Sequence, residues 1–130
     1  MMMKITFNIT PKATPRPRVA KFGVYYPKEY QAYRKILEQL APLLCKKHFK
    51  GVISMRIDFY MQIPASLSKI KREALIEQYH IKKPDCDNLA KGIKDCLEGI
   101  AYDNDSQIAE LHITKRYDTK PRIEVELWEL

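Results

Sequence analysis

The sequence predicts an α+β fold: a single domain over residues 1–130, with about three helices and a mixed, mainly antiparallel sheet. Three observations lead to this prediction. The length of 130 residues suits one domain. Strand-like alternation of apolar and polar residues opens the chain, returns in its middle and closes it. Helical periodicity occupies the segments between these strands, and helices grouped around such a sheet are typical of α+β proteins.

The N-terminal half predicts two strands and one helix, separated by a loop. Apolar and polar residues alternate over residues 3–10, which indicates a half-buried strand. Residues 11–23 contain three prolines and several basic residues without a period, which predicts an extended basic loop. Tyrosines and leucines then recur every three or four residues up to Leu44, and Pro42 should kink this helix or split off a last short turn. Residues 52–63 alternate again and are the clearest strand.

The C-terminal half predicts two helices followed by two strands. Ser66 or Ser68 can cap a helix that continues to about Tyr79. The third helix should open near Asp87, and its apolar residues form a buried stripe that ends at Ile100. The two closing strands are residues 107–116 and 122–128.

The charge is divided unevenly along the chain. The net charge is +7, but residues 1–50 carry 11 basic and two acidic side chains, whereas residues 85–130 carry six basic and 11 acidic ones. A basic surface suits a polyanionic partner, and the acidic half is either a solvated face or a cation site. No apolar run has membrane-spanning length, and the N-terminus lacks the apolar region of a signal peptide. With three sparse cysteines, we therefore expect a cytoplasmic protein without a membrane partner.

Two aspartates stand where an extended segment meets the third helix. Asp85 and Asp87 are two residues apart, so in an extended stretch they can point to the same side. Asp87 is also a natural N-cap, but a cap needs one carboxylate, and two neighbouring carboxylates repel unless a cation holds them. Lys91 lies one helical turn after Asp87, either as an ion-pair partner or as a cation directed at a phosphate.

A second acidic group, Asp103-Asn104-Asp105, follows the third helix. Its structural interpretation is an Asx-type turn. In the functional interpretation, the chain returns so that Asp105 approaches Asp85, either within the fold or across a dimer. A set of aspartates without His or Cys at ligand spacing favours Mg²⁺, with Mn²⁺ as the alternative ion. A metal ion and a nearby ammonium group suit phosphodiester hydrolysis.

These motifs together are specific. The segment Lys83-Pro84-Asp85-Cys86-Asp87-Asn88-Leu89-Ala90-Lys91, followed by Asp105-Ser106-Gln107-Ile108, resembles the RusA family of Holliday junction resolvases. The pattern D-x-D-N-L-x-K is complete, and the resemblance covers about residues 80–116. It implies a RusA-like fold and a homodimeric, Mg²⁺-dependent endonuclease. Such an enzyme resolves four-way DNA junctions by paired symmetric nicks in DNA recombination and repair.

The resemblance also implies the roles of individual residues. Asp85, Asp87 and Asp105 would bind the metal, and Lys91 would be the catalytic lysine. The chain departs from the family pattern at Asn104, where the family usually has an aspartate. Asp103 is then the candidate for a further metal ligand, because it carries the missing charge one position earlier.

Five basic residues are candidates for contact with DNA. Four occur in or next to the N-terminal loop, which also holds aromatic residues, and the fifth precedes the acidic pair: Arg16, Arg18, Lys21, Lys28 and Lys83. Phosphate contacts would position the substrate, and an aromatic side chain would wedge into an opened junction. The alternative is a solvated basic loop. His80 either contacts phosphate or is structural.

The leading interpretation is therefore a crossover junction endonuclease that acts as a homodimer, since a two-fold junction requires two symmetric nicks. The alternative from another class is a non-catalytic DNA-binding protein whose acidic residues only form caps and turns. A third interpretation is a small phosphatase or nucleotide hydrolase.

Overall fold

A four-stranded sheet organises the chain, and a computed structural model describes all residues from 1 to 130. The elements in chain order are β1 (Met2–Phe7), β2 (Arg18–Ala20), β3 (Gly23–Tyr25), α1 (Lys28–Leu44), β4 (Ile53–Gln62), α2 (Lys69–Leu75), α3 (Cys86–Leu97), a 3₁₀ turn (Asp105–Gln107), β5 (Ile108–Asp118) and β6 (Arg122–Glu129). The strand order is β1-β6-β4-β5. β6 pairs antiparallel with β1 and β4, while β4 and β5 are parallel. The predicted mixed, mainly antiparallel α+β fold is confirmed.

One face of the sheet forms the core. Strict alternation along β4 places every second side chain inward, so six successive members of this row are buried: Ile53, Met55, Ile57, Phe59, Met61 and Ile63. The helices cover this face, with α1 packed beside α3 and against β1, and α3 packed against β5. Tyr33, Leu37, Leu89 and Ile93 are the main helix residues buried there. Burying one side chain of this size stabilises the fold by roughly 1.5–3 kcal/mol.

α1 and α3 approach closely at Gly92. A Cβ at this position would lie 2.9 Å from the Tyr30 hydroxyl and 3.6 Å from Thr14 Oγ1. These two oxygens are hydrogen-bonded to each other at 2.8 Å. Glycine at position 92 therefore lets α1 and the N-terminal loop both pack against α3.

α1 differs from its prediction at Pro42. The helix continues to Leu44, so the predicted separate last turn is wrong. Pro42 cannot donate to the carbonyl of Glu38, but both residues are exposed, and solvent can hydrate that carbonyl. The hydrogen bond at the end of the helix is intact, because Cys45 N donates to Ala41 O at 2.9 Å. One missing bond near a solvated helix end is tolerated.

α2 is shorter than predicted. Ser68 caps it, accepting from Lys71 N at 3.3 Å, but the helix ends at Leu75 instead of near Tyr79. Glu77 has a positive φ of 68°, which turns the chain away from the helix. Residues 77–80 then run along the free edge of β5 and form backbone hydrogen bonds with it. Pairing with a distant strand thus replaces the last helical turn.

The predicted N-terminal loop contains a hairpin. β2 and β3 pair with each other in a separate two-stranded sheet, which corrects the prediction of an extended loop. Three apolar side chains on this hairpin are largely exposed: Val19, Phe22 and Val24. The strands are too short and too exposed to give a periodic signal. Across the whole chain, no helix has the length and apolar character needed to cross a membrane.

Candidate active site

One face of α3 lines a cavity of about 300 Å³ beside β5. Asp87, Lys91 and Lys94 lie three or four residues apart, so successive helical turns present them on the same side. Asp105 reaches the same cavity from the 3₁₀ turn, and β5 supplies its apolar wall. The lining residues are Asp87, Ala90, Lys91, Lys94, Asp95, Asp105, Leu111 and Ile113. The chain thus returns from the end of α3, and three of the predicted site residues meet in one place.

The 3₁₀ turn that carries Asp105 is held by side-chain hydrogen bonds. Asn104 Oδ1 accepts from Ser106 N at 2.9 Å. Gln107 Oε1 accepts from the amides of Asp103 and Asn104 at 2.8 and 2.9 Å. Asn104, where the family pattern usually has an aspartate, is therefore engaged in capping this turn.

Gln107 also ties the turn to the segment before β4. Its Nε2 donates to Phe49 O at 3.0 Å and to Gly51 O at 2.9 Å. Glu98, just beyond α3, accepts from Asp105 N at 3.1 Å. Asp105 is thus anchored from two directions, which gives its carboxylate a defined place opposite α3.

Asp85 is not among the residues of this cavity and lines a separate depression with Lys83, Pro84 and Asn88. Asp85 occupies the N-cap position of α3, and Asp87 is in the first helical turn, so the prediction that Asp87 is the N-cap is wrong. The assumption that both aspartates belong to one extended stretch also fails, because the helix begins at Cys86. The Asp85 side chain makes no capping hydrogen bond. Neither carboxylate is therefore consumed by the helix terminus.

Three of the cavity residues lack internal partners for their side chains. Among the hydrogen bonds and salt bridges of the chain, none involves the side chain of Asp87, Lys91 or Asp105. The ion pair between Asp87 and Lys91, which is the structural interpretation of their spacing, is not formed. Asp95, a further cavity carboxylate, lies 4.0 Å from Arg34 Nη1. Free carboxylates and a free ammonium group in one cavity can bind a cation and a phosphate.

Asp103 lies apart from this cavity. Its Oδ1 accepts from His48 Nε2 at 2.8 Å, and Lys50 Nζ lies 3.3 Å from both of its oxygens. These hydrogen bonds from His48 and Lys50 hold the pKa of Asp103 below its usual value. The structure therefore uses Asp103 to join the segment before β4 to the loop after α3. Its role as a metal ligand stays a prediction.

The donor set fits a hard cation. No three His, Cys, Asp or Glu side chains come close enough to surround a metal ion by themselves. Mg²⁺, however, is commonly bound by one or two carboxylates, and it keeps several waters and binds substrate phosphates. Asp87 and Asp105 supply such a pair in one cavity, whereas Asp85 lines a separate depression.

The five predicted DNA contacts are exposed, and none forms a salt bridge: Arg16, Arg18, Lys21, Lys28 and Lys83. Arg18 and Lys21 belong to the hairpin region, and Lys83 lines the depression that contains Asp85. The N-terminal loop reaches the site through Thr14, whose amide donates to Asn88 O at 2.9 Å. This hydrogen bond places the basic segment next to the first turn of α3.

His80 is outside both depressions. Its ring packs on Tyr117 with centroids 4.8 Å apart, and burial together with the nearby Lys115 ammonium lowers the pKa of His80. The structural role is therefore the better interpretation of His80. Sequence reasoning missed Lys94 and Asp95 in the cavity, although their i+7 and i+8 spacing from Asp87 indicates the same helix face. It also missed the anchoring role of Gln107, which no local pattern could reveal.

Free acidic and basic groups in one cavity, together with exposed cations on the N-terminal loop that form no salt bridge, are features expected of a phosphodiester hydrolase. The chain belongs to the RusA family, because the family model described as Endodeoxyribonuclease RusA matches residues 8–128. The family is one of endodeoxyribonucleases, so the resemblance stated from the sequence motifs is confirmed.

Two relatives are similar to this chain. It is 31% identical over 138 aligned positions to the "Uncharacterized protein YqaN" of Bacillus subtilis (strain 168), with 98% of this chain and 96% of that protein covered. It is 36% identical over 78 positions to the "Crossover junction endodeoxyribonuclease rusA" of Lactococcus phage r1t, with 55% of this chain and 60% of that protein covered. The phage relative carries the name of an enzyme that acts on crossover junctions.

Proposed function

We propose that this chain is a Mg²⁺-dependent Holliday junction resolvase that acts as a homodimer in DNA recombination and repair. Each subunit nicks one of two symmetry-related strands of a four-way junction, since resolution requires paired cuts. The observation that carries the proposal is the cavity in which Asp87, Lys91 and Asp105 meet without internal partners. Membership of the RusA family and the name of the phage relative support the same substrate class.

We assign a separate role in the reaction to each group of residues in the cavity. Asp87 and Asp105 would hold the metal from two different elements, and Asp85 would contribute from the N-cap of α3. A Mg²⁺ ion held by these carboxylates would supply positive charge beside the scissile phosphate and an activated water. Lys91 projects from the same helix face as Asp87 and stabilises the negative charge that develops on the phosphate oxygens. The apolar wall of Leu111 and Ile113 limits water on the β5 side.

The unpaired cations position the DNA. Arg16 and Arg18 are close in sequence to Thr14, whose hydrogen bond to Asn88 fixes the loop against α3. A DNA strand that these residues hold by its phosphates therefore passes near Asp87. Phosphate contacts of this kind set register without reading sequence. Phe22 at the hairpin tip is 80% exposed and is the aromatic side chain placed to wedge into an opened junction.

The proposal predicts that Asp85→Asn, Asp87→Asn and Asp105→Asn each separate binding from cleavage. Asn keeps the size of the side chain but removes the charge that holds the metal, so nicking of a synthetic four-way junction should fall on the order of 10²- to 10³-fold. Affinity for the junction in EDTA should stay the same or rise, because a carboxylate repels phosphate when no cation lies between them. Nicking in Mg²⁺ and binding in EDTA are measured for each variant.

Glu110→Gln is the matched control, because this exposed acid on β5 does not line the cavity and its variant should cleave normally. Linear duplex and mononucleotides serve as alternative substrates. Cleavage that survives in one Asn variant removes that aspartate from the metal site. A wild-type protein that binds junctions but never cuts them is a non-catalytic DNA-binding protein, and hydrolysis of mononucleotides alone indicates a phosphatase.

A further inference from the structure

We propose that Lys115 is a positioning residue that fixes the segment leading into Asp85 and the first turn of α3. This inference rests on the proposed function, because it concerns the carboxylates assigned there to the metal. Lys115 lies on β5, outside the cavity and outside the depression that contains Asp85. It acts on the site through the backbone between residues 80 and 85.

The Lys115 side chain binds two carbonyl groups of this segment. Its Nζ donates to Lys82 O at 2.8 Å and to Pro84 O at 2.7 Å. The Lys115 backbone carbonyl also accepts from His80 N at 2.9 Å. One strand residue therefore holds the segment at three alternate positions, and the last of them directly precedes Asp85.

The bond to Pro84 O has a direct geometric consequence. That carbonyl belongs to the peptide group whose nitrogen is Asp85 N, and a peptide group is planar. Fixing the oxygen therefore fixes the plane from which the Asp85 side chain emerges. α3 begins at the next residue, so the direction in which Asp87 enters the cavity is set from the same point.

A lysine ammonium suits this task better than a neutral side chain. Hydrogen bonds from a charged donor are shorter and roughly twice as strong as neutral ones. The segment has few alternative ways to hold its place, because Lys82 and Lys83 are exposed and Pro84 has no amide hydrogen to donate. The adjacent edge pairing ends at His80, since no further backbone hydrogen bond joins residues 81–85 to β5. Without Lys115, the connection between that edge and α3 has no side-chain support from the strand.

The same hydrogen bonds separate Lys115 from the DNA-binding cations. Arg16, Arg18 and Lys83 are exposed and free of salt bridges, whereas the Lys115 ammonium is occupied by two carbonyl oxygens and the residue is half-buried. An ammonium has three N–H donors, so only one of those on Lys115 is left for a phosphate, whereas the exposed cations have all of theirs available. The geometry therefore assigns Lys115 to the support of the metal-binding aspartates and not to the DNA surface.

The test is Lys115→Met, which keeps the apolar stem and removes the donors, compared with Lys115→Arg, which keeps a charged donor. Lys120→Met is the control, because Lys120 is an exposed lysine in the turn before β6. Mg²⁺ and Mn²⁺ affinities are measured by calorimetry on the full chain without DNA. Amide exchange at residues 85–88 and the metal dependence of junction nicking complete the comparison.

We expect Lys115→Met to bind metal about 10- to 100-fold more weakly, as for other partners that orient metal ligands. Exchange at residues 85–88 should become faster, while junction affinity in EDTA is unchanged. Saturating metal should restore part of the nicking rate, and Lys115→Arg should recover most of the metal affinity. If Lys115→Met does not fold, Lys115→Gln replaces it, with an intermediate loss of metal affinity expected because one amide donor pair remains.

Three outcomes overturn the inference. Unchanged metal affinity in a folded and equally active Lys115→Met, even with lower thermal stability, shows that Lys115 is merely structural and overturns the inference alone. Weaker junction binding in EDTA with unchanged metal affinity shows that it contacts DNA. A wild-type chain that neither binds metal nor nicks junctions overturns the proposed function and this inference together.

Discussion

The cavity beside α3 and the β2–β3 hairpin represent two ways of presenting charged side chains. The cavity is lined mainly by α3, whose opposite face is packed in the core, where Leu89 and Ile93 have no exposed surface. The hairpin pairs only with itself, and Phe22 at its tip is 80% exposed. Groups that perform chemistry require positions that are fixed within fractions of an ångström, whereas phosphate contacts tolerate adjustment. The packing of each region matches the task that we propose for it.

The acidic residues also fall into two groups, those with a basic partner and those without one. Asp58 binds Arg56, and Asp118 binds Arg122, whose guanidinium lowers the pKa of that carboxyl. Asp87 and Asp105 have no such partner. Paired acids stabilise the outer sheet face and the turn before β6, while Asp87 and Asp105 leave two carboxylates free in the cavity. The excess of acidic residues after residue 85 therefore combines ion-paired acids, exposed acids such as Glu110 and the two free carboxylates of the cavity.

Replacement of Lys91 should give the largest effect and tests whether the cavity, and not the hairpin, carries out the chemistry. Lys91→Ala should lower the rate of junction nicking on the order of 10²- to 10³-fold, as expected when one group that stabilises the transition state is removed. Lys91 is exposed and has no salt bridge, so stability should change by no more than about 0.5 kcal/mol. Single-turnover nicking, junction affinity and Tm are measured. Lys71→Ala, at an exposed helix position on α2, should leave all three unchanged, and full activity of Lys91→Ala would exclude a catalytic role.

The sequence is sufficient wherever a local pattern determines the structure. Strict alternation identifies β4 and its buried face, and periodicity identifies α1 and the buried side of α3. The chemistry is also visible, because Asp87 and Lys91 lie one turn apart on the helix that is expected to carry them. The motif therefore identifies Asp87 and Lys91 as site residues before any three-dimensional information is considered.

What the sequence cannot provide depends on non-local pairing. The end of α2 is decided by residues 77–80, which pair with β5 about 35 residues later in the chain. The hairpin is predicted as a loop, since three-residue strands with exposed faces have no periodicity. The N-cap of α3 is Asp85, two residues before the predicted Asp87, and this shift places the two aspartates on different local structures. Gln107 and Lys115 act through backbone carbonyls of distant segments, which no spacing rule reports.

The double variant Arg16→Ala with Arg18→Ala tests the hairpin side of the comparison. Junction affinity at moderate salt should fall on the order of tenfold, and the slope of log K against log salt should decrease by about 0.9 for each phosphate that the protein no longer neutralises. Metal affinity should be unchanged. Lys46→Ala with Lys47→Ala is the control, because it removes the same charge from the same half of the chain, just after α1 and away from the hairpin. Equal slopes for the wild type and the arginine variant would remove this segment from the interface.

Asp103→Asn gives the smallest expected effect and sharpens the division between paired and unpaired acids. His48 and Lys50 lower the pKa of Asp103 in the folded chain, so its contribution to stability is complete above the ordinary aspartate pKa and is lost as the pH falls through the lowered value. The Tm of the wild type should therefore exceed that of Asp103→Asn by a small amount at neutral pH. The two should converge as acid protonates the wild-type carboxyl, because Asn has no charge to lose. Lys50→Met should reproduce part of the loss at neutral pH, since Lys50 Nζ lies 3.3 Å from the Asp103 carboxylate. The Asp103 carboxylate is already bound to His48 and Lys50, so Asp103→Asn should not change the concentration of Mg²⁺ that nicking requires. A higher requirement in this variant would place Asp103 among the metal ligands beside Asp105.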